Sequence, residues 1–299
     1  MTDTAPLKGY VMAALVVAIW SGFVVVSRLG GVSPLTAWDL VAIRYGTAAI
    51  ILLPVFVFKR RFRLFTRQSV GLALTGGLGY ALLVFSGFKR APATHAAILL
   101  PGLLPFAVTL MAGLVLGERP SASRWLGLTV IAAGVACLGA EAFHGARAVR
   151  DGDLLLVGAS FSYAAFTALA RRWRADPWEA TLAVVFLTAL VYLPVYGLFL
   201  PKHLSNVALM TIAIQALYQG LLAIVVQMPL YVGAVRLIGA TRLGTLMALV
   251  PALAGFAAVP ILGEPLSGWT TAGLLLVTGG AWLCNAPVPA FLRKQPCPT

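Results

Sequence analysis

Three aromatic side chains lie deep inside long apolar stretches of the sequence. Trp20 and Tyr163 are 143 residues apart, and Tyr80 lies at a similar depth in a third stretch. Each is about 10 residues from the start of its stretch, which at ~1.5 Å per residue places the ring near the centre of a bilayer. Trp and Tyr usually lie at membrane surfaces. Rings at this depth could stack against a planar solute, or they could pack in a core rich in Gly and Ala.

Arg44 is a full positive charge well inside an apolar stretch. A guanidinium inside a membrane is costly and often functional, and its planar donors suit a carboxylate in a bidentate pair. The alternative is a structural tie to Asp39, to helix-end carbonyls or to the membrane surface. Asp39 is five residues earlier, about 140° around a helix, so that pair would be strained. The sequence favours the structural role.

The apolar stretch 207–235 carries an unusual set of polar side chains, namely Gln215, Tyr218, Gln219, Gln227 and Tyr231. Positions 215, 218 and 219 share one helical face. Amides that faced lipid would lack hydrogen-bond partners. The face therefore meets protein or water, either lining a solute pathway or joining helices by hydrogen bonds.

His95 lies at the start of another apolar stretch, and its counterpart in the second half of the chain is Arg242. A basic group there adds to the positive end of a helix, where a carboxylate can bind. The simpler interpretation is that both residues anchor helix ends at the membrane surface. His95 could also respond to pH.

The composition indicates that these residues belong to a membrane protein. Of 299 residues, 60% are hydrophobic and 10% charged, and the mean hydropathy is +0.94, whereas a soluble domain carries about 25% charged residues. Ten apolar stretches are long enough to span a bilayer, at 9–27, 36–58, 69–88, 93–116, 125–142, 153–170, 178–200, 207–235, 241–262 and 268–286. Little of the chain is left for a soluble domain, and we expect no cleavable signal.

The placement of the charge argues against nucleic-acid binding, although the net charge is +13. With ten spans, about two thirds of the 22 Lys and Arg residues fall on the side that holds both termini. They lie in short loops beside the membrane rather than on one basic face. The positive-inside rule predicts that both termini are cytoplasmic.

The two halves of the sequence repeat the same pattern. Four pairs of residues are each 146 apart, namely Pro105/Pro251, Glu118/Glu264, Gly127/Gly273 and Gly134/Gly280, and Arg28 and Arg171 are 143 apart. An odd number of spans per copy forces the second copy to enter the membrane from the opposite side. We therefore predict an all-α fold of ten transmembrane helices in two inverted five-helix repeats. The predicted parts are repeats at 1–142 and 153–286, an outer-face linker at 143–152 and a cytoplasmic tail at 287–299.

The repeated residues suggest how such a protein would move. Pro105 and Pro251 interrupt the fourth and ninth stretches at matched places, and Pro101 and Pro260 interrupt the same two stretches nearby. Proline removes a helical hydrogen bond, so these are candidate hinges, or static kinks. Paired glycines seven residues apart predict close helix packing or dimerisation, and a monomer and a homodimer both stay open.

The carboxylates do not point clearly to proton coupling. Glu118 and Glu264 fall at span ends, where anchoring is the simplest role. Asp39 and Glu179 are also near ends, so the sequence predicts no deeply buried carboxylate of the kind that proton-driven pumps use. Facilitated flux down a gradient is the alternative.

The sequence resembles a known transporter family. Gly-Glu-Arg-Pro at 117–120, Gly-Glu-Pro at 263–265 and the spaced glycines that follow are similar to the paired EamA domains of the drug/metabolite transporter superfamily. As a whole, the chain also looks like bacterial aromatic amino-acid exporters of the YddG type. This resemblance implies export of Phe, Tyr and Trp across the bacterial inner membrane by alternating access. The second repeat has Leu187 where an equivalent of Arg44 would lie, so Arg44 has no symmetric role.

Two rival functions fit the sequence less well. A broad-specificity exporter of lipophilic cations needs an acidic group in its cavity, and none is evident. An intramembrane enzyme needs a metal cluster, paired carboxylates or a nucleophile with its base. The three histidines, at positions 95, 144 and 203, all lie near loops. We expect no cofactor, metal site or disulfide, and a small-molecule substrate and the lipid bilayer as partners.

Overall fold

The computed structural model describes residues 5–58, 63–144 and 146–285, and these contain no β-strand. The helices, numbered along the chain, are α1 (Ala5–Val32), α2 (Ala37–Phe58), α3 (Arg67–Phe88), α4 (Ala93–Leu116), α5 (Ala122–His144), α6 (Arg147–Arg172), α7 (Pro177–Phe199), α8 (Leu209–Ile238), α9 (Ala240–Leu262) and α10 (Gly268–Asn285). A short 3₁₀ turn, Leu204–Asn206, precedes α8. The predicted all-α class is confirmed.

Eight of these helices are long and apolar enough to cross a membrane by length and composition. The two others are α5, whose apolar part is the shorter segment Arg124–Ala140, and α10. The chain is thus a multi-pass helical membrane protein. That α5 and α10 also cross the membrane stays a prediction, and so does the total of ten spans.

The outer surface of the bundle is apolar, as lipid contact requires. Large side chains that a soluble protein would bury are more than 70% exposed here, among them Ile50, Phe58, Leu114 and Leu198. A contiguous apolar surface of this kind marks an interaction with lipid or protein. The core instead packs small side chains against rings, with Ala81, Ala96 and Ala97 fully buried beside Phe85 and Phe88.

α6 begins earlier than its apolar stretch. The predicted span started at residue 153, but the helix starts at Arg147, so much of the segment predicted as a linker is helical. Arg150, Asp151 and Asp153 lie in its first turns. The apolar pattern marks where lipid begins, whereas the backbone hydrogen bonds of the helix extend beyond it into the polar boundary.

The repeated Gly-Glu motif marks the ends of α4 and α9. Gly117 has φ +70° and Gly263 has φ +66°, and each ends its helix in the left-handed conformation. Glycine adopts this conformation without the steric cost that a side chain imposes. The glycine therefore ends the helix and changes the direction of the chain, and the glutamate that follows lies just outside the helix end.

Three helices contain π-helical segments, in which the backbone bonds from i to i+5. They are Ala73–Leu78 in α3, Ile98–Gly102 in α4 and Ala216–Val226 in α8. The segment in α4 explains a drift between the repeats, since His95 to Pro105 is one residue longer than Arg242 to Pro251. A π turn accommodates one extra residue without ending the helix.

The spaced glycines hold α5 against α10 within one chain. A Cβ on Gly127 would lie 2.7 Å from the carbonyl oxygen of Gly280, and a Cβ on Gly134 would lie 3.0 Å from that of Gly273. The two backbones therefore touch where the glycines cross. Of the two roles predicted for these glycines, the structure uses them for close packing inside the protein.

We expect Gly280→Ala to destabilise the protein by about 1–3 kcal/mol, because the new methyl group would overlap the backbone of α5. In the native geometry it would lie 2.7 Å from the Gly127 oxygen and 2.8 Å from the Ile131 nitrogen. Gly279→Ala is the matched control, since its Cβ would meet nothing within 4 Å. Thermal unfolding in detergent should show a lower Tm for Gly280→Ala alone, and an equal Tm for both variants would contradict this packing.

Candidate functional site

A cavity of about 830 Å³ lies inside the bundle, within the range of small-molecule sites. It extends from rings in the middle of the helices to one end of the bundle, called here the open end, where Arg124, Arg171, Arg174 and Asn285 line it. At the opposite, closed end lie Arg28, Lys89 and Glu264. We call this space the central cavity.

The three predicted aromatic residues come together on its wall. The ring of Tyr163 lies 5.8 Å from that of Trp20, edge to face, and 5.3 Å from that of Tyr80. Phe166 continues the cluster at 5.5 Å from Tyr163. Because all four line the cavity, a solute inside it meets ring faces and edges from α1, α3 and α6.

Gln227 fixes the orientation of Trp20. With its amide oriented to satisfy both ends, it accepts a hydrogen bond from the indole N–H of Trp20 and donates to the carbonyl of Ala223 at 2.9 Å. Gln227 also lines the cavity. Of the predicted polar residues of α8, Gln227 and the 41% exposed Tyr231 line the cavity.

Arg44 also lines the cavity, next to the rings. Its guanidinium carbon lies 5.4 Å from the ring centroid of Phe23 and 5.9 Å from that of Tyr45, and Nη1 donates to the amide oxygen of Gln219 at 2.9 Å. Its buried Nε has no hydrogen-bond partner among the described residues, nor does any carboxylate there form an ion pair with it. This cation therefore has neutral partners and an unsatisfied donor.

Asp39 does not pair with Arg44. Its carboxylate is fully buried and accepts hydrogen bonds from the hydroxyls of Tyr196, at 2.5 Å, and Thr36, at 2.8 Å. The backbone N–H groups of Thr36 and His203 also donate to it. The carboxylate joins the start of α2 to the end of α7 and leaves the guanidinium to the cavity.

Gln215, Tyr218 and Gln219 face other helices rather than the cavity. Gln215 donates to the carbonyl of Val26 at 2.8 Å, and Tyr218 donates to that of Ile19 at 3.1 Å. Gln219 donates to the hydroxyl of Ser27 at 2.9 Å while accepting from Arg44. These three residues hold α8 against α1, and Gln219 also positions the guanidinium.

His95 is buried outside the central cavity. Its Nδ1 lies 3.1 Å from both carboxylate oxygens of Asp153 at the start of α6. Asp153 and Asp39 are both buried, although each lies near the start of its helix. The predicted absence of a carboxylate at the membrane centre, of the kind that proton-driven pumps use, therefore stays a prediction. The sequence pattern placed these residues near span ends, but the helix ends fold inward against one another and cover them.

The carboxylate of Glu264 joins three helices at the closed end. Glu264 accepts a hydrogen bond from Nε of Arg28 at 2.8 Å and from the backbone N–H groups of Ala93 and Thr94 at 2.7 and 3.3 Å. Arg28 also donates to the carbonyl of Phe88 at 2.7 Å. The carboxylate caps the N-terminus of α4, where the helix dipole favours negative charge. We call this set of contacts the Glu264 clamp.

The clamp is part of a half-buried polar layer. Nearby Lys89 donates to the carbonyls of Ser33 and Leu35 at 3.0 and 2.7 Å. Burial, and secondarily the charge of Arg28, lowers the pKa of the Lys89 ammonium. The side chain of Glu264 is 10% exposed, so little water reaches these contacts.

The matching pair at the open end has a different environment. Arg171 donates to Glu118 at 2.6 Å, and their side chains are 50% and 44% exposed. These are the repeat counterparts of Arg28 and Glu264. Glu118 caps no helix in this structure among the described residues, and the exposed pair is worth little in stability.

Pro105 and Pro251 lie at matched breaks in α4 and α9. Pro105 follows the π turn of α4 and lines the cavity. Pro251 follows a turn at Ala248–Leu249 that divides α9. Each proline lacks the N–H group that would bond to the carbonyl four residues earlier in the helix. Both helices are therefore less rigid at the level of the cavity.

Sequence reasoning missed several residues of the cavity wall, including Phe23, Tyr45, Phe166 and Arg174. Phe23 and Phe166 are 143 residues apart, the same interval that relates Trp20 to Tyr163. The repeat could therefore have identified them. Tyr45 and Arg174 carry no such signal. Among the described residues, no three His, Cys, Asp or Glu side chains lie close enough together to hold a metal ion.

A multi-pass helical membrane protein with a solute-sized cavity at mid-depth is typical of membrane transporters. Comparison with known families matches residues 7–140 and 150–286, each to the EamA-like transporter family. The chain belongs to this family, in two copies of its domain. The predicted resemblance to paired EamA domains is confirmed.

Two further proteins resemble this chain along most of its length. One is a probable amino-acid metabolite efflux pump of Salmonella typhimurium (strain LT2), 24% identical over 286 residues that cover 91% of this chain and 93% of that protein. The other is a solved crystal structure described only as that of a protein. It matches 95% of this chain and 98% of its own with a TM-score of 0.62 at 20% identity, a likeness of fold.

We expect Gln219→Leu to destabilise the protein by about 3 kcal/mol, because it leaves the buried Arg44 without its hydrogen-bond acceptor. Gln227→Leu is the matched control on the same helix, since water in the cavity can replace its lost hydrogen bonds. Thermal unfolding of both variants in detergent measures the difference. Equal losses would contradict the view that Gln219 supports the guanidinium.

Proposed function

We propose that this protein exports small organic solutes across the bacterial inner membrane, above all the aromatic amino acids Phe, Tyr and Trp. The observation that carries the proposal is the pairing, in one cavity, of an aromatic cluster with the uncompensated guanidinium of Arg44. Rings suit an aromatic side chain, and a guanidinium suits its carboxylate. The name of the Salmonella relative, an amino-acid metabolite efflux pump, supports both the substrate class and the direction.

Trp20, Tyr80 and Tyr163 would bind the ring of the substrate, and Arg44 its carboxylate. Gln227 and Tyr231 line the same cavity and would contact the remainder of the solute. Gln215, Tyr218 and Gln219 support the site from behind, as their contacts with α1 indicate. His95, paired with Asp153, belongs to the closed end rather than to the substrate site.

Contacts between helix ends support the inverted arrangement of the repeats. At the Glu264 clamp, the end of α1 meets the start of α4 and the end of α9. The counterpart of α1 in the second repeat is α6, and its end meets the end of α4 at the opposite end of the bundle. The crossing of α5 and α10 pairs each glycine with the counterpart of its neighbour. As part of the proposal, the chain has ten spans with both termini in the cytoplasm, repeats at 1–142 and 153–286, a linker at 143–152 and a tail at 287–299. Residues 286–299 lie outside the described part of the chain.

Alternating access would exchange the environments of the two matched glutamates. In this structure Glu264 caps Ala93 and Thr94 of α4. The counterparts of these residues, 147 positions later, are Ala240 and Thr241 at the start of α9. When the cavity closes at the open end, Glu118 would cap α9 in the same way, with Pro105 and Pro251 as hinges.

The size of the cavity favours a second candidate from the same superfamily, a broad-specificity exporter of drugs and metabolites. A volume of about 830 Å³ exceeds what one amino acid needs, so larger solutes would also fit. Competition by bulky solutes that are not amino acids would distinguish this function from a dedicated amino-acid exporter.

We expect saturable counterflow of labelled phenylalanine in proteoliposomes that contain the purified chain, with competition by tyrosine and tryptophan. Trp20→Ala should weaken apparent affinity by about tenfold, because it removes a ring that borders the substrate. Trp282→Ala is the control, because the side chain of Trp282 is 50% exposed on the outer surface, and it should leave counterflow unchanged. Absence of counterflow with folded protein would overturn the amino-acid assignment.

We expect Glu264→Gln to loosen the closed end, because a neutral amide binds Arg28 and the helix N-terminus more weakly than a carboxylate does. A cysteine at Thr94, which is 1% exposed, serves as reporter in a chain whose Cys137, Cys284 and Cys297 are replaced by serine. Its labelling by an impermeant maleimide from outside the cell should be faster with Glu264→Gln. Glu118→Gln is the matched control and should not increase it. Equal labelling in both backgrounds would contradict the role of the clamp.

A further inference from the structure

We propose that the central cavity recognises its substrates as aromatic carboxylates and does not require the α-ammonium group. This inference rests on the proposed function and narrows it to a chemical class. Aromatic 2-hydroxy and 2-oxo acids would then be substrates together with the amino acids, whereas aromatic amines and amino-acid amides would not.

The charge of the cavity wall carries the inference. Among the described residues that line the cavity, every charged side chain is an arginine, namely Arg44, Arg124, Arg171 and Arg174. Of these, Arg171 has Glu118 as a counter-ion, and no acidic side chain from the described part of the chain lines the cavity. A confined space with charges of one sign concentrates ions of the other sign. The field therefore attracts anions and opposes cations.

The hydrogen-bonding groups near the rings have the same bias. The amide oxygen of Gln219 already accepts from Arg44, and that of Gln227 accepts from the indole of Trp20. The hydroxyl of Tyr45 donates to the carbonyl of Gly77 at 3.2 Å. Arg44 still has an unpartnered Nε. An incoming carboxylate thus finds an unused guanidinium donor, whereas the amide oxygens of Gln219 and Gln227 each already accept one hydrogen bond and offer an ammonium group less.

Arg44 has a physical need for an anion. A buried charge is costly unless it is paired, yet its 9% exposed side chain has rings and one neutral amide as partners among the described residues. A substrate carboxylate supplies the missing counter-ion. The ammonium of an amino acid would stay hydrated in the remaining volume, where it is tolerated without being recognised.

Three ligands that differ at one group each test this in proteoliposomes of the native chain. L-Phenylalanine carries both charges, L-3-phenyllactate has a hydroxyl in place of the ammonium, and L-phenylalaninamide lacks the carboxylate. Counterflow of each labelled compound is measured, with protein-free liposomes to subtract passive leakage. We expect comparable rates for phenylalanine and phenyllactate, and a rate for the amide at least about tenfold lower, since a site built for one polar group rejects ligands that lack it.

The outcomes separate this inference from the proposed function. Counterflow of phenylalanine without phenyllactate, or with the amide moving as fast, would overturn the inference and leave amino-acid transport standing. Phenyllactate without phenylalanine would overturn the amino-acid function and support the anion class. Counterflow of none of the three would overturn both.

A pair of variants assigns the selectivity to Arg44. Arg44→Gln should abolish counterflow of both carboxylates, whereas Arg44→Lys, which keeps the charge, should retain part of it. Size-exclusion chromatography checks that each variant is folded, and the comparison of ligands on the native chain does not depend on either one. Equal counterflow by Arg44→Gln and the native chain would overturn the role of Arg44.

Discussion

The Glu264 carboxylate holds the closed end of this bundle together. It binds Arg28 of α1 and caps the first N–H groups of α4, and it stands directly after the glycine that ends α9. Three helices distant in sequence therefore meet at one charged group, in surroundings where water screens little. With that end closed, the space between the helices is left to open at the other end, beside the exposed pair of Glu118 and Arg171.

A membrane interior makes every unsatisfied polar group expensive, and this constraint explains the arrangement of the polar side chains. Asp39 is surrounded by donors, Asp153 pairs with His95, and the amides of α8 bond to α1. Two arginines on the cavity wall differ, since the buried Nε atoms of Arg44 and Arg124 have no hydrogen-bond partner among the described residues. Unsatisfied donors beside a cavity are costly in a membrane interior, and a solute in the cavity can supply the missing acceptors.

The two repeats supply a symmetric frame, and their differences supply the site. Matched glycines bring α5 and α10 into contact, and matched glutamates lie at the two ends of the bundle. Arg44, by contrast, has Leu187 as its counterpart, and the π turn of α4 has no equivalent in α9. The repeated frame is compatible with similar movements at both ends, whereas Arg44, beside the aromatic cluster, lies on one side of the cavity.

The sequence by itself determined the class, the repeat and the helices, because hydrophobic length and residue spacing are local properties that survive without knowledge of packing. It also brought Trp20, Tyr80 and Tyr163 to one depth. Tertiary structure decided which polar residues share a space: Gln227 lines the cavity, whereas Gln215 and Gln219 on the same helix do not. It also decided that Asp39 binds Tyr196 rather than Arg44, and that Glu264 rather than Glu118 caps a helix. These contacts depend on which helices pack against one another. Helical periodicity shows which residues share a face, but it does not show which other helix that face contacts.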